Sequence, residues 1–380
     1  LPICEQKAAP PASSASAGAA SAPAAAAVEV PFGVAVPTSG GLGHIGKDVQ
    51  NGVRMAIDEI NATHPVIGGK TIAFKLLAED DAGEPKQATA VAQKLCDLKA
   101  IAVVGHLQSG TTIPAAAIYN QCGIPQITPA ATNPDLNRAG YDTLFRLIAN
   151  DNQLGAAVAQ YAVAKAGAKR VALLDDRTAF GQGLSKVFKE AAESKGATVV
   201  ATEYTTDKAT DFLAQLTAIK AKDADTILFG GLDAQAGPML RQMQQLGMTK
   251  VRLVAGDGTC TEKLPELAAQ AKTLENVICA TGGASVGKLQ GGADWLKRYE
   301  ARFPGQFQIY GAYAYAATYV LVEAMKSADS TEPKTYLPKL AAINTTGLTG
   351  PVSFVDKGEL AKPAVTIYSY RDNKRTEIEQ

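Results

Sequence analysis

From residue 28 to residue 370, short apolar runs alternate with amphipathic segments, and that alternation leaves the chain very few architectures. Residues 28–36 read as a strand, and 48–61 then place Val49, Val53, Ala56, Ile57 and Ile60 on one helical face. Strands at 71–77, 101–104 and 126–128 are separated by amphipathic helices at 85–98 and 112–121. A second series follows, with helices at 152–166, 181–194, 212–221, 236–246 and 262–271 between strands at 170–175, 198–204, 226–230 and 252–255. After a strand at 276–280 come helices at 291–302, 312–327 and 337–342, then strands at 351–355 and 365–370, with Gly347 to Pro351 marking a turn. Strands alternating with helices imply a parallel sheet covered on both faces, and two such series imply two doubly wound units.

The remaining totals narrow the function. With 380 residues, 46% of them apolar, the chain can bury two cores of ordinary size. Thirty-seven basic residues balance thirty-seven acidic ones without a basic stripe, so counterion release cannot drive nucleic-acid binding. No apolar run approaches the roughly 18 to 20 residues that span a bilayer. Five cysteines contain no C-x-x-C and three histidines are scattered, which argues against a zinc site. Of the cysteines, Cys96 with Cys122 and Cys260 with Cys279 each fall in one local segment and are the expected disulfides; four reduced core thiols are the alternative. Residues 8–27 are all Ala, Pro, Ser or Gly and read as a flexible linker. Ahead of it, Leu1-Pro-Ile-Cys4 resembles the end of a bacterial lipoprotein signal, which makes Cys4 a candidate lipidation site; a cysteine with no such role is the alternative.

Three motifs point elsewhere and fail on their context. Gly41-Leu-Gly-His-Ile-Gly46 matches G-x-G-x-x-G, but Pro37 to Gly40 separate it from the strand, and the acidic strand end Glu79-Asp-Asp81 lies farther on than the spacing of about twenty requires. The same segment nearly spells a P-loop, yet Asp48 stands where magnesium needs Ser or Thr. Gly283-Ala-Ser-Val-Gly287 matches a nucleophile elbow, but no histidine follows His106. No cofactor and no catalysis are expected.

In open α/β sheets ligands lie beyond the carboxyl ends of the strands. There the first series offers Ile45, Leu107, Gln108, Ser109, Ala130 and Thr132, in small-residue turns whose hydroxyls, bare peptide N–H groups and helix starts suit a carboxylate. The second offers Phe180, Leu232 and Asp257. An α-amino acid needs donors for its carboxylate and an acid for its ammonium: Ser109 and Thr132 supply the first, Asp257 the second, and Leu107, Phe180, Leu232 and Tyr310 an apolar wall. Taken singly, Ser109 also reads as an N-cap, Asp257 as an Asx-turn residue and Phe180 as core.

Taken together, Gly105-His-Leu with Ser109, Ile127-Thr-Pro-Ala-Ala-Thr132, Asp175-Asp-Arg with Phe180-Gly-Gln-Gly183, Phe229-Gly-Gly231 and Gly256-Asp-Gly258 resemble the periplasmic leucine/isoleucine/valine-binding protein family, from about Val30 to Tyr370. These are substrate-binding components of branched-chain amino acid ABC transporters. The resemblance implies a type I periplasmic binding protein: two Rossmann-like lobes joined by three crossovers, residues 28–150 plus 280–352 and 151–279 plus 353–380, with the ligand clamped between them. Carried over by position, Ser109, Ala130 and Thr132 would hold the α-carboxylate and share the ammonium with Asp257. Phe180 would lie over the ligand, and Leu107, Gln108, Ile45, Leu232 and Tyr310 would shape the side-chain pocket. The chain departs from the pattern where Asp257 replaces a glutamate and where Phe180, Leu232 and Ile45 replace tyrosines. Gly83 and Gln108 take the positions of a relative's disulfide. The expectation is a periplasmic or extracytoplasmic monomer, with Cys4 as a potential lipid anchor, that binds a hydrophobic amino acid and delivers it to a permease. The alternatives are a sensory receptor on the same fold and a nucleotide-cofactor enzyme.

Overall fold

Burial on both faces makes the central strands of this chain short and mostly apolar, and in the computed structural model the main strands form two largely parallel sheets with antiparallel edges. Residues 26–378 are described; Cys4 and residues 8–25 lie outside them. The first sheet takes β1 (Val28–Val36), β2 (Val66–Ile67), β3 (Lys70–Asp80), β4 (Val103–Gly105), β5 (Gln126–Thr128) and β6 (Leu144–Arg146) in the order β2-β3-β1-β4-β5-β6. Helices α1 (Gly43–Ala62), α2 (Pro85–Asp97), α3 (Ser109–Cys122) and α4 (Asp135–Arg138) connect them. The second sheet is reached through α5 (Asp151–Ala164) and holds β7 (Arg170–Asp175), β8 (Thr198–Tyr204), β9 (Thr226–Gly230), β10 (Arg252–Ala255) and β11 (Val277–Thr281). Between these strands run α6 (Ala179–Ser194), α7 (Leu213–Lys220), α8 (Asp233–Gln245) and the single turn α9 (Leu264–Leu267). Every residue of β4, β5, β6, β9 and β11 is buried, as parallel strands covered by helices require.

The chain then returns to the first lobe with α10 (Gly292–Arg302), α11 (Gly311–Ser327) and α12 (Pro333–Ala341). A small antiparallel sheet of β12 (Asn344–Gly347), β13 (Gly350–Val355) and β14 (Glu359–Leu360) follows. Only afterwards do β15 (Thr366–Arg371) and β16 (Lys374–Ile378) complete the second sheet, in the order β16-β15-β11-β10-β9-β7-β8. The sequence reading placed this last return at 353. It falls instead between Leu360 and Thr366, because Phe354 packs on Phe145 with ring centroids 4.9 Å apart and Glu359 pairs with Arg146. The three crossovers run side by side: Ala149 N–H donates to Gly282 O at 3.0 Å, and the Thr366 hydroxyl donates to Gly283 O at 2.7 Å. The helix expected over 262–271 is also shorter than its pattern, since Ala269 and Gln270 take positive φ and end it after one turn.

Cys96 is bonded to Cys122, tying α2 to α3, and Cys260 to Cys279, tying the turn after β10 to β11. The Cα separations are 6.1 and 5.6 Å. These are the pairs expected from local spacing.

Helix α1 accounts for the glycine motif without a nucleotide. A Cβ on Gly46 would lie 1.8 Å from Pro37 O, and one on Gly52 would lie 2.0 Å from Gly311 O. The glycines let α1 lie against the end of β1 and against the start of α11. Val49, Val53 and Ile57 are buried on the inward face, each worth about 1.5 to 3 kcal/mol of apolar transfer. Asp48, the residue that spoiled the P-loop, is fully buried. Its Oδ2 accepts the N–H groups of Ile309, Tyr310 and Gly311 at 2.8 to 2.9 Å, and its Oδ1 accepts from the Tyr299 hydroxyl at 2.9 Å. It satisfies the orphan donors at the start of α11 from another helix. Burial raises the Asp48 pKa, and these bonds work against the rise. Asp48→Ala would strand three buried N–H groups and is expected to lower stability by at least about 3 kcal/mol. Asp48→Asn, which keeps one acceptor oxygen, should lose less. Urea unfolding midpoints of the two variants check this, and equal midpoints for Asp48→Ala and wild type would refute it.

Candidate functional site

The carboxyl ends of the two sheets face each other across a cavity of about 360 Å³, a size that fits a small molecule. Nine of the ten sequence-predicted residues line it: Ile45, Leu107, Gln108, Ser109, Ala130, Phe180, Leu232, Asp257 and Tyr310. The tenth, Thr132, is fully buried directly after Ala131, which borders the cavity. Gly83, Pro85, Thr111, Arg177, Thr178 and Asp207 also border the cavity and were not anticipated. Pro85 and Thr111 stand in the first turns of α2 and α3, and the other four lie in the turns just after β3, β7 and β8.

Each lining residue is placed by a helix start or a turn. Gln108 and Leu232 are the N-caps of α3 and α8, and Tyr310 is the N-cap of α11. Ser109 is therefore the first residue of its helix and does not cap it. Its Oγ accepts the Asn133 N–H at 3.2 Å, which leaves the hydroxyl proton for another acceptor. Phe180 belongs to the core of the second lobe and to the cavity wall at once. Gly83 and Gln108 are neighbours, since a Cβ on Gly83 would lie 2.7 Å from Gln108 Oε1. That oxygen is buried without a hydrogen-bond partner.

The loop carrying Ala130 and Thr132 is fixed by two buried groups. Thr128 Oγ1 accepts the Ala131 N–H at 2.9 Å. The guanidinium of Arg146, itself fully buried, donates to Ala131 O at 2.9 Å, Asn133 O at 3.0 Å and Asn137 Oδ1 at 2.6 Å, and pairs with Glu359 at 2.7 Å. One planar cation thus grips the chain on both sides of Thr132. Across the cleft, His44 of α1 meets Asp233 of α8 at 2.7 Å, and Asn133 Nδ2 donates to Ala179 O at 2.6 Å.

Negative charge collects where the lobes meet. Asp257 is 1% exposed; its Oδ1 accepts the Gly258 N–H at 3.0 Å, and its Oδ2 has no partner. This is an Asx contact in part, with one oxygen left over. Burial, then the charge of Asp151, pushes the Asp257 pKa up to about 7, against the pull of the Tyr310 hydroxyl. Asp151 is equally buried and is pushed up to about 7 by burial, against the Thr132 hydroxyl and Arg146. Sequence reasoning missed Asp151, because an acid in the first turn of a helix reads as a dipole complement. Among the described residues no three His, Cys, Asp or Glu side chains gather as metal ligands would.

The family model of the periplasmic binding proteins matches residues 29–375. This chain belongs to the periplasmic binding protein family. An amino acid binding protein of Pseudomonas aeruginosa is 35% identical over 347 residues, covering 90% of this chain and 91% of that protein. A Leu/Ile/Val-binding protein homolog 1 of Brucella suis is 30% identical over 359 residues, covering 93% and 94%. The branched-chain amino acid transporter substrate binding protein LivJ from Streptococcus pneumoniae, in complex with isoleucine, superposes with a TM-score of 0.83 at 29% identity, over 92% of this chain and 98% of that one. As in the rest of this periplasmic binding protein family, the function is solute binding, and the interlobe cavity is the candidate site.

The two raised carboxyls set a pH dependence for the ligand-free protein. A carboxyl whose pKa is raised by folding keeps a proton that the unfolded chain has lost, so its contribution to stability declines as pH rises from about 4 to about 7. Asp257→Asn removes that decline at one site. It is expected to stabilise the ligand-free protein at pH 8 by on the order of 2 kcal/mol, with a smaller gain at pH 5. Thermal melts at both pH values test it; a variant no more stable than wild type at pH 8 would count against it.

Proposed function

We propose that this protein captures a hydrophobic α-amino acid, a branched-chain one first, between its lobes and delivers it to an ABC permease. The observation that carries the reading is the pairing of half-sites. Hydroxyl and backbone donors at the starts of β-strand loops in one lobe face a buried carboxylate oxygen without a partner, Asp257 Oδ2, in the other. A carboxylate and an ammonium on one carbon match that pair, while Ile45, Leu107, Phe180 and Leu232 leave an apolar wall for a side chain. Ser109, Ala130 and Thr132 would hold the carboxylate and, with Asp257, the ammonium; Phe180 would cover the ligand, and Gln108 and Tyr310 would complete the side-chain pocket. The names of the relatives, which include leucine, isoleucine and valine binding, support the same class of ligand.

The absence of tyrosine at 45, 180 and 232 strips hydroxyls from the wall and favours aliphatic over polar side chains. We place the protein outside the cytoplasm as a monomer, with Cys4 as its lipid anchor. Light scattering on the purified chain and the mass of its N-terminal peptide from membranes check those two points.

Isothermal titration with the twenty amino acids tests the main reading. Leucine, isoleucine or valine should bind, and a chain that binds no aliphatic amino acid would overturn it. Asp257→Ala should weaken binding by about ten- to a hundredfold, the value of a charge-assisted bond of roughly 1.5 to 3 kcal/mol. Because ligand-free Asp257 is held near 7, wild-type affinity should rise between pH 5 and pH 8, as the carboxyl ionises without needing the ligand to expel its proton.

A further inference from the structure

Two residues that stand beside the cavity wall join the lobes. His44 and Asp233 neighbour the lining residues Ile45 and Leu232 in the chain, and His44 Nε2 lies 2.7 Å from Asp233 Oδ2. His44 occupies the first turn of α1, where a cation works against the helix dipole, and among the described residues its ring bonds to Asp233 alone. Asp233 is fully buried in the first turn of α8. From its own lobe its carboxylate takes one hydrogen bond, from the Thr261 hydroxyl to Oδ2 at 2.5 Å, while Oδ1 has no partner. A buried carboxylate calls for a counter-charge, and the group placed to supply one belongs to the other lobe.

The chain is shaped for this approach. A Cβ on Gly41 would lie 3.5 Å from the Ala234 Cβ, so the turn before α1 rests on the first turn of α8. Leu42 packs against the second-lobe cluster that contains Phe180 and Leu232. The other ion pair across the cleft, Lys208 with Glu84, is exposed on both sides and contributes little. Lys47 and Lys263 border a polar hollow together with His44, and Lys263 is paired with Glu266. The charge of Asp233 acts on Tyr310 and Tyr370, whose hydroxyls are held well above their usual range, by burial first. Asp151 and Asp257 act on Tyr310 as well, and both are pushed up to about 7 by burial.

We propose that His44 and Asp233 form a latch between the lobes, and that its strength follows the charge on His44. The proposal rests on the amino-acid reading above only for the choice of its probe. Closure of the lobes takes the Asp233 carboxylate out of water, which is costly without an opposite charge. A protonated imidazole brings both a charge and an N–H donor, whereas a neutral one brings the donor alone. Imidazole is the side chain that changes charge between about pH 5 and 8. The latch is therefore strongest in acid and weakens as pH rises, and a ligand enclosed between the lobes is held more firmly while His44 is protonated. Neither residue has to touch the ligand to act on its affinity.

The test compares the full chain with His44→Gln, which keeps an N–H donor but cannot carry the charge, by calorimetric titration of L-leucine at pH 5.5 and pH 8. Ionisation of Asp151 and Asp257 acts on both proteins alike and cancels in the ratio of their dissociation constants. That ratio should be about tenfold at pH 5.5, as expected of one charge-assisted bond, and should approach one at pH 8. In an Asp233→Asn background the same substitution should change nothing at either pH. A ratio that is the same at both pH values, or a full loss retained in the Asp233→Asn background, would overturn the proposal. If Asp233→Asn does not fold, the pH dependence of the ratio decides alone. Failure of wild type to bind any amino acid removes the amino-acid reading and leaves the latch to be judged on the ligand-free chain. X-ray scattering at pH 5.5 should then give a smaller radius of gyration for wild type than for His44→Gln, and equal radii would overturn it.

Discussion

The carboxylate of Asp48 fixes how the first lobe is assembled. Through three N–H bonds it joins α1 to the start of α11, segments separated by more than half the chain, and the Gly52 contact with Gly311 lets the two helices close to backbone distance. Tyr310 reaches the cavity wall because its own N–H is one of those three. The apolar faces of α1 and α11 then pack into one cluster with β1, β3 and β4 beneath them. Such a cap in trans does for the helix start what an N-cap side chain does locally, and it ties late sequence to early sequence as it does so.

The cavity shows the opposite electrostatic design. Around Asp48 every oxygen is used, whereas Asp151 and Asp257 keep oxygens unpaired in an environment that disfavours their charge. Rigid supports surround them: Arg146 clamps the loop behind Thr132, and the Cys260–Cys279 bond anchors the turn that bears Asp257. On the proposed reading, a site held in this way meets a ligand of the right charge with its loops already in place.

Much of the fold was legible in the sequence, because strand and helix periods differ and parallel strands are plainly apolar. Elements went unread where the signal was brief or mixed. Strand β6 has three residues, one of them a buried arginine, and β14 has two, held by Phe354 and by the Arg146–Glu359 pair, which no local pattern announces. Strand β16, Lys374–Ile378, carries three charged residues in five and looks like a tail until β15 is there to pair with it. The site was legible at the strand ends, where position in an α/β sheet itself implies exposure to the cleft. Asp151, fully buried at the first turn of α5, is not announced by any spacing in the sequence. The resemblance supplied the three crossovers, the part of Ala130 and the shared hold on the ammonium; the residues alone gave the half-sites, Ser109 and Thr132 opposite Asp257.

That the first lobe is made of two stretches, separated by nearly the whole second lobe, has a consequence for the order of events during synthesis. Until residues 309–311 emerge, Asp48 has no N–H groups of α11 to bind, and the helix that packs against α1, β4 and β5 is missing from one face of the first sheet. The second lobe, by contrast, lacks only β15 and β16 at one side of its sheet at that moment. A chain wired like this cannot finish folding from its leading end as it leaves the ribosome. Its first lobe cannot be completed until most of the chain exists, which suits a protein that is threaded across a membrane before it folds.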